Sequence, residues 1–459
     1  MMPEMAMPAA NVYISNMTED IWDYFRYLVD PQALHYELDG NASLADRDLF
    51  CFGSHEKMTF VLPRPVHAEF LKYFQSIFGP RDYSFIVPPE HSGSVCDDVL
   101  GNRDCLAALE TACRKTPSCN IAAYSSSAQF FKLIDSLRRK EIRLAATESP
   151  LDHARWTRGF FGSKTGIRQL IQKLQAEQNS FCMADGWIAA DSNQAAEIAA
   201  SVYEQKGAVV FKINCGHAGS GVKIFRPGSL PSGFAACRDA LLELFQREGF
   251  WEKLPVVVEE YIDLDPSIAG GTPNMELRIS PEGEIDLSYP CAMMVSPEGE
   301  FEGVELSAEC MPREMQREIY SICQTVGREY AKAGYRGHFE LDFMYGKNGR
   351  LYITESNLRR TGGTHTYFCA KSLLGDGFLD RFCVRAMNCY QLPTRKPVDF
   401  TKLLTCLNPL LWKPAEQKGL LIASEMQLSM NFVAYIAIGR SRKEACSIEA
   451  EMKKLLQSL

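Results

Sequence analysis

The sequence has no C-x-x-C pair. Its 16 cysteines are scattered singly from Cys51 to Cys446, a spacing that supports neither a zinc site nor a disulfide framework. Reduced thiols packed as small core residues are expected instead. No uninterrupted apolar run reaches the roughly 18 to 20 residues of a membrane span. The opening stretch "MMPEMAMPAANVYISN" has neither a basic start nor an apolar segment, so a cytoplasmic chain is expected. Basic excess is missing as well. A formal net charge of -8 argues against a broad nucleic-acid or membrane surface, either of which needs clustered Lys and Arg. What remains is 459 residues, 46% of them hydrophobic, enough for two or three domains with cores of their own.

Three regions are expected. Residues 1–150 alternate short β-rich runs ("NVYIS", "DLFCF", "DYSFIV", "NIAAYS") with helical patterns such as "SAQFFKLIDSLRRKE", which predicts an α/β layer structure. Residues 151–390 carry longer helices between β-hairpins: "KTGIRQLIQKLQAEQ" has helical apolar spacing, while "VVVEEYIDLD" and "MELRISPEGEIDLSYP" read as strands. Residues 391–459 hold the strands "KGLLIAS" and "NFVAYIAIG" and a closing helix, a small α/β subdomain.

The stretch "VVFKINCGHAGSGVKIFRPG", residues 209–228, is rich in glycine. It is not a Walker loop, because Val222 holds the position where the lysine must follow the second glycine. Nor is it a dinucleotide fingerprint, since "VKIF" after Gly219 and Gly221 is a strand and no third glycine follows. It reads as a strand, loop, strand hairpin. Such a hairpin can fold over phosphates, with the backbone of Gly216, Gly219 and Gly221 and the Ser220 hydroxyl as donors and Lys212 supplying charge; the alternative is an ordinary turn.

The stretch "GYRGHFELDFMYGKNGRLYITESNLRRTGGTH", residues 334–365, has two strands around Asn348-Gly349, a dipeptide that favours a two-residue type I′ turn. Counting back from that turn pairs Lys347 with Arg350, Tyr345 with Tyr352, Asp342 with Glu355 and Glu340 with Asn357. The other face sends Phe339, Leu341 and Phe343 to a core. Directly opposed carboxylates are destabilising unless a cation or a shared proton compensates. Two acids and an amide oxygen suit Mg²⁺ or Mn²⁺ better than zinc; the alternative is a solvated strand face neutralised by neighbouring Lys and Arg.

The glycine hairpin with its lysine, followed by the acidic hairpin ending E-S-N-L-R, resembles the ATP-grasp superfamily over about residues 156–370. That resemblance implies ATP held between two α+β lobes and magnesium on the acidic strand pair. Lys164 of "GSKTGIRQLI" and Lys212 match its phosphate lysines. Glu259, Glu260, Tyr261 and Ile262 match the segment that meets adenine. Asp342, Glu355 and Asn357 match the metal ligands, with Glu340 able to share or replace Asp342, and Arg359 matches the arginine beyond the asparagine. The whole chain is similar to peptide ligases of peptide-antibiotic pathways that carry an N-terminal Rossmann-like pre-ATP-grasp domain, with relatives that load an amino acid onto a carrier protein.

The implied reaction is ATP-dependent joining of an amino-acid or peptide carboxylate to an amine through an acyl phosphate, with a thiol on a carrier protein or a plain kinase reaction as alternatives and a non-catalytic scaffold as the third. Homodimers are common among such ligases. Arg359 and Arg360 offer forks for a carboxylate or acyl phosphate, and Arg278 on the "ELRIS" strand is another candidate. His365 is read either as a base toward the amine or as a hydrogen-bonding support. His217 touches ATP or faces solvent, Glu276 meets the ribose or pairs with Arg278, and Cys215 has no identifiable histidine partner.

Overall fold

The computed structural model describes residues 11–25, 27–28, 30–177, 181–217, 220–253, 255–296, 299–394 and 396–459. Among them the strands form three sheets. The first is parallel, in the order Asp82–Ile86, Lys57–Val61, Val12–Ile14, Cys119–Ala123, Leu144–Ala145. Helices alternate with these strands as the sequence predicts, and Val12, Ile14, Val61 and Ile121 pack with Phe130, Leu133 and Ile134 of the helix Ala128–Arg139. One expectation fails here. "DLFCF" is not a strand but part of a fully buried 3₁₀ helix, Ala45–Phe52. A run buried on every side has no alternation to tell strand from helix, and its acids Asp46 and Asp48 bond to groups from other segments.

The second sheet is antiparallel, in the order Gly186–Ala189, Val256–Glu260, Val209–His217, Ser220–Phe225. The helices Ser192–Lys206 and Phe234–Glu248 cover it through Ala195, Ala199, Leu241 and Phe245. The third sheet is also antiparallel. It runs Leu351–Asn357, Gly337–Tyr345, Pro273–Ile279, Ile285–Val295, Phe301–Leu306, Cys383–Gln391, Phe432–Gly439, Gly419–Ser424. The strands after residue 391 therefore continue the sheet of residues 273–391. The helices Lys164–Glu177 and Arg313–Lys332 pack on its first part through Ile167, Ile171, Ile319 and Val326, against Phe339, Leu341 and Phe343. These three phenylalanine and leucine side chains enter a core as expected. Among the described residues no helix is long and apolar enough to cross a membrane.

Candidate active site

The acidic hairpin is built by two irregularities that cancel. The turn is not the two-residue type I′. Gly349 alone is left-handed, at φ 75°, its N–H donates to the Gly346 carbonyl and the Gly346 N–H to the Arg350 carbonyl. This is a three-residue loop in which Gly349 forms a bulge. The Asn348 side chain favours it by accepting from the Arg350 N–H (3.1 Å) and donating to the Tyr352 hydroxyl (2.7 Å). Tyr345 consequently faces Leu351, not Tyr352, and Lys347 does not face Arg350. A second register shift between Asp342 and Phe343 leaves Thr354 over, and its hydroxyl donates to the Asp342 carbonyl (3.2 Å). Each extra residue moves the register by one in opposite senses. Asp342 faces Glu355 and Glu340 faces Asn357, as the sequence predicts.

Lys164 is the first residue of the helix Lys164–Glu177. Ser163 Oγ accepts from the Gly166 N–H (3.1 Å) and Asn214 from the Thr165 N–H (3.0 Å), capping the helix start. Gly166 has no alternative, since a Cβ there would stand 1.9 Å from the Phe160 carbonyl oxygen. So fixed, Lys164 Nζ lies 2.9 Å from Glu355 Oε1. Burial opposes a charge on Glu355, but Lys164, with Lys212 adding its field, outweighs it and holds the carboxyl below its ordinary value. The opposite happens at Asp342, where burial and the Glu355 charge push the carboxyl up to about 7. Burial, Asp342 and Glu276 push Glu340 well above the usual range.

Asn357 Nδ2 donates to Asp342 Oδ2 (3.1 Å), and Arg359 Nη2 donates to Asn357 Oδ1 (2.8 Å). Arg359 also reaches Asp20 Oδ2 with Nε (2.6 Å), tying the acidic strand to the helix Met17–Asp20. Sequence reasoning missed Asn274. It faces Asp342 from the neighbouring strand and donates to its Oδ1 (2.6 Å), while its own Oδ1 is buried without a partner. The available signal was its place two residues before Glu276 in "PNMEL", on the same face of a strand.

Among the described residues no three His, Cys, Asp or Glu side chains already close on one point as a metal site. The donors nevertheless suit a hard cation. Asp342, Glu355 and the spare Asn274 oxygen are oxygen ligands, and a cation would remove the repulsion that now raises the Asp342 carboxyl.

Lys212 Nζ lies 2.6 Å from Glu259 Oε2, and Arg168 Nη2 2.6 Å from Glu259 Oε1. The Glu259 carboxylate is thus occupied by two cations. Glu260 is held by Lys206, and its N–H donates to the Asp185 carbonyl. Ile262 packs with Ala184 and Tyr352 in a small apolar cluster, and Tyr261 lies under the Arg226 guanidinium. His217, the last residue of the strand that contains Gly216, pairs with Ser220 at the hairpin end; these two side chains and Gly219 lie outside the described residues. Gly221 is left-handed at φ 78°, with Ile213 where a Cβ would be.

Four predicted residues have surroundings of their own. Glu276 does not pair with Arg278: it is fully buried, faces Glu340 on the neighbouring strand and accepts from His338 Nδ1 (2.8 Å), Tyr289, Thr361 and Thr364. Arg278 pairs with Asp286 (3.2 Å) on the adjacent strand. Arg360 pairs through Nη2 with Glu148 (2.5 Å) against the rings of Tyr13, Phe52 and Phe368, while its Nε and Nη1 are buried without a hydrogen-bond partner. His365 is 2% exposed; burial and the Arg47 charge drive its imidazole well below ordinary basicity, and it does not join the acids. Arg360 and His365 have neighbours, Glu148 and Arg47, from distant segments that sequence spacing does not reveal.

No family model matches the chain, and no curated protein does. Solved structures do. Biotin carboxylase from Campylobacter jejuni, in a complex with β,γ-ATP, superposes with a TM-score of 0.58 at 12% identity over 98% of this chain and 95% of that one. N5-carboxyaminoimidazole ribonucleotide synthetase from Thermus thermophilus gives 0.55 at 11% identity over 98% and 99%. An ADP complex of the same kind of synthetase gives 0.54 at 10% over 99% of both chains. The chain has the ATP-grasp fold. This agrees with the fold expected from the glycine and acidic hairpins.

Proposed function

We propose that this ATP-grasp chain is an ATP-dependent ligase that joins a carboxylic acid to an amine, releasing ADP. The observation that carries the reading is the facing pair Asp342 and Glu355 with Lys164 against it. Two half-buried acids and a buried lysine at one point suit the polyphosphate of a nucleotide and its divalent cation. Asp342, Glu355 and the free oxygen of Asn274 are the residues that would hold Mg²⁺, with Glu340 and Asn357 beside them. Bound Mg²⁺ supplies neutralisation of the phosphate oxygens and polarises the transferred phosphoryl group.

The chain's own groups do the rest. Lys164 exchanges Glu355 for a phosphate oxygen, and Lys212 does the same from Glu259. The hairpin 209–225 covers the phosphates with backbone N–H groups. Ile262 and Tyr261 flank the base. Attack of the substrate carboxylate on the γ-phosphate gives an acyl phosphate, and the amine displaces phosphate from it. The acid belongs to the amino-acid or peptide class, in keeping with the resemblance to peptide ligases. Residues 1–150 and 391–459 frame the substrates, and residues 151–390 hold ATP.

The test is ADP release from Mg-ATP across a panel of amino acids, singly and in pairs, with mass detection of products. A condensed product with stoichiometric ADP supports the reading. A stable phosphorylated single substrate assigns a kinase, and ADP release that requires a thiol-bearing carrier protein assigns carrier loading.

A further inference from the structure

The helix Ala128–Arg139 turns one face to a cavity of about 520 Å³. Phe131, Lys132, Asp135 and Arg139 share that face at helical spacing. The facing wall is the short helix Trp156–Phe161 with the residue before it, which contribute Arg155, Trp156 and Arg158. A volume of this size takes a small organic molecule. Among the side chains that line it are four cations, Lys132, Arg139, Arg155 and Arg158, and a single acid, Asp135, in a chain whose net charge is -8.

The acid is already engaged. Asp135 accepts from both Nη groups of Arg155 (2.6 and 2.7 Å), whose guanidinium also lies 4.6 Å from the centre of the Phe131 ring. Lys132 is held by Asp97 (2.6 Å). Arg139 is exposed and, among the described residues, forms no ion pair. Arg158 shares its partner. Its Nη2 donates to Asp20 Oδ1 and to the Asp20 carbonyl (2.6 Å), while Asp20 Oδ2 accepts from Arg359 Nε (2.6 Å), so two guanidinium groups divide one carboxylate. Arg158 Nε and Nη1 donate to no described residue. The apolar part of the wall is Trp156, 55% exposed, with the rings of Phe160 and Phe161 at 5.9 and 5.8 Å behind it. An indole left this open beside surplus positive charge matches the two halves of one ligand.

We propose that this cavity is a second ligand site, outside the nucleotide cleft, for a small monocarboxylic acid with a flat aromatic body and no ammonium group. The carboxylate takes the unused donors of Arg158, in the field of Arg139, and the ring stacks on Trp156. An ammonium group would meet four cations and an acid spent on Arg155, and inorganic phosphate would gain nothing from the indole. Direct contacts join the site to the acidic pair. Arg158 holds Asp20, Asp20 holds Arg359, Arg359 Nη2 donates to Asn357 Oδ1 (2.8 Å), and Asn357 Nδ2 donates to Asp342 Oδ2 (3.1 Å). A carboxylate that takes a share of Arg158 leaves more of Asp20 to Arg359, which firms the strand carrying Asn357 and Glu355. The acid and Mg-nucleotide therefore strengthen each other's binding by the same factor. The site itself does not rest on the ligase reading.

Calorimetry without nucleotide tests the site, with phenylpropionate and N-acetyl-L-tryptophan as probes and phenylpropionamide, free L-tryptophan and inorganic phosphate as controls. At least one of the two acids is expected to bind, and each control at least tenfold more weakly. Trp156→Ala, a change at an exposed side chain, should lose at least tenfold in acid affinity and leave Mg-ADP binding unchanged. The acid should tighten Mg-ADP binding at least threefold, and Asp20→Asn should keep acid binding and lose that gain. Failure of both acids to bind, equal binding of any control, or unchanged affinity in Trp156→Ala overturns the site. No gain in Mg-ADP affinity, or a gain that survives Asp20→Asn, overturns the link through Arg158. The two readings fail separately: acid binding to a protein that binds no Mg-ADP removes the nucleotide reading and leaves the site, whereas ADP release by a protein that binds neither acid does the reverse.

Discussion

Lys164 and Glu355, 191 residues apart in the chain, meet as an ion pair with Nζ 2.9 Å from Oε1. The lysine is 6% exposed and the glutamate 30%, so the lysine depends on its partner more than the carboxylate does. Truncating one partner of a fully buried pair costs about 3 to 5 kcal/mol, and the partial exposure of Glu355 places this pair at or below the lower end. Lys164→Met should therefore lower the unfolding free energy of the nucleotide-free protein by a few kcal/mol in urea titrations. It should also abolish ADP release. A variant that keeps wild-type turnover would remove Lys164 from the site.

Asp342 is the mirror case, because its charge is opposed by burial and by Glu355. Asp342→Asn can still accept from Asn274 and removes the repulsion. The expected result is a higher melting temperature without Mg²⁺, loss of the stabilisation that Mg²⁺ gives the wild type, and at least a hundredfold loss of ADP release. Scanning calorimetry with and without Mg²⁺ reads the first two.

Asp46 gives a pH signature away from the site. Burial, only partly offset by bonds from Ser424 and the Met426 and Glu425 backbone, raises its carboxyl to about 7. The folded chain then binds one more proton than the unfolded chain between about pH 4 and 7. Its contribution is present below pH 4 and is lost as pH rises toward 7, at a slope on the order of 1 kcal/mol per pH unit. Asp46→Asn keeps an oxygen for the Glu425 and Met426 N–H groups, so it should flatten that slope in urea titrations repeated from pH 5 to 8.

Arg359 links Asp20 to Asn357. A double-mutant cycle of Asp20→Asn and Arg359→Lys should give a coupling energy of about 1 to 3 kcal/mol. The Michaelis constant for ATP-Mg should rise in both single variants, because the tie positions the strand that carries Glu355. Additive effects would show that the two residues act independently.

Periodicity made the layers legible. The parallel strands, the helices at Ala128–Arg139 and Lys164–Glu177 and the glycine hairpin all follow from local pattern, because each has one face in a core and one outside it. The Asp342–Glu355 pair was legible too, though by a register that the wrong turn happened to preserve. What local pattern does not hold is partnership between distant segments. Arg360 and Glu276 look free in sequence because their partners Glu148 and His338 lie far along the chain, and nothing near His365 in sequence announces the Arg47 charge that opposes its protonation. Asn274 was overlooked because an asparagine at a strand start is an ordinary residue until the neighbouring strand places an acid beside it. The buried "DLFCF" run had no alternation to read.

The bulge decides which length changes the acidic hairpin can absorb. Ile353 pairs with Phe343 and Glu355 with Asp342, with Thr354 left over between them. Deleting Thr354 would join the two pairs directly and keep Glu355 opposite Asp342, and deleting Gly349 would only shorten the loop. A residue added between Thr354 and Glu355 is different: unless the bulge absorbs it, the strand beyond turns over and Glu355 points inward toward Phe339 and Leu341. Shortening is therefore the tolerable direction here, and lengthening the costly one.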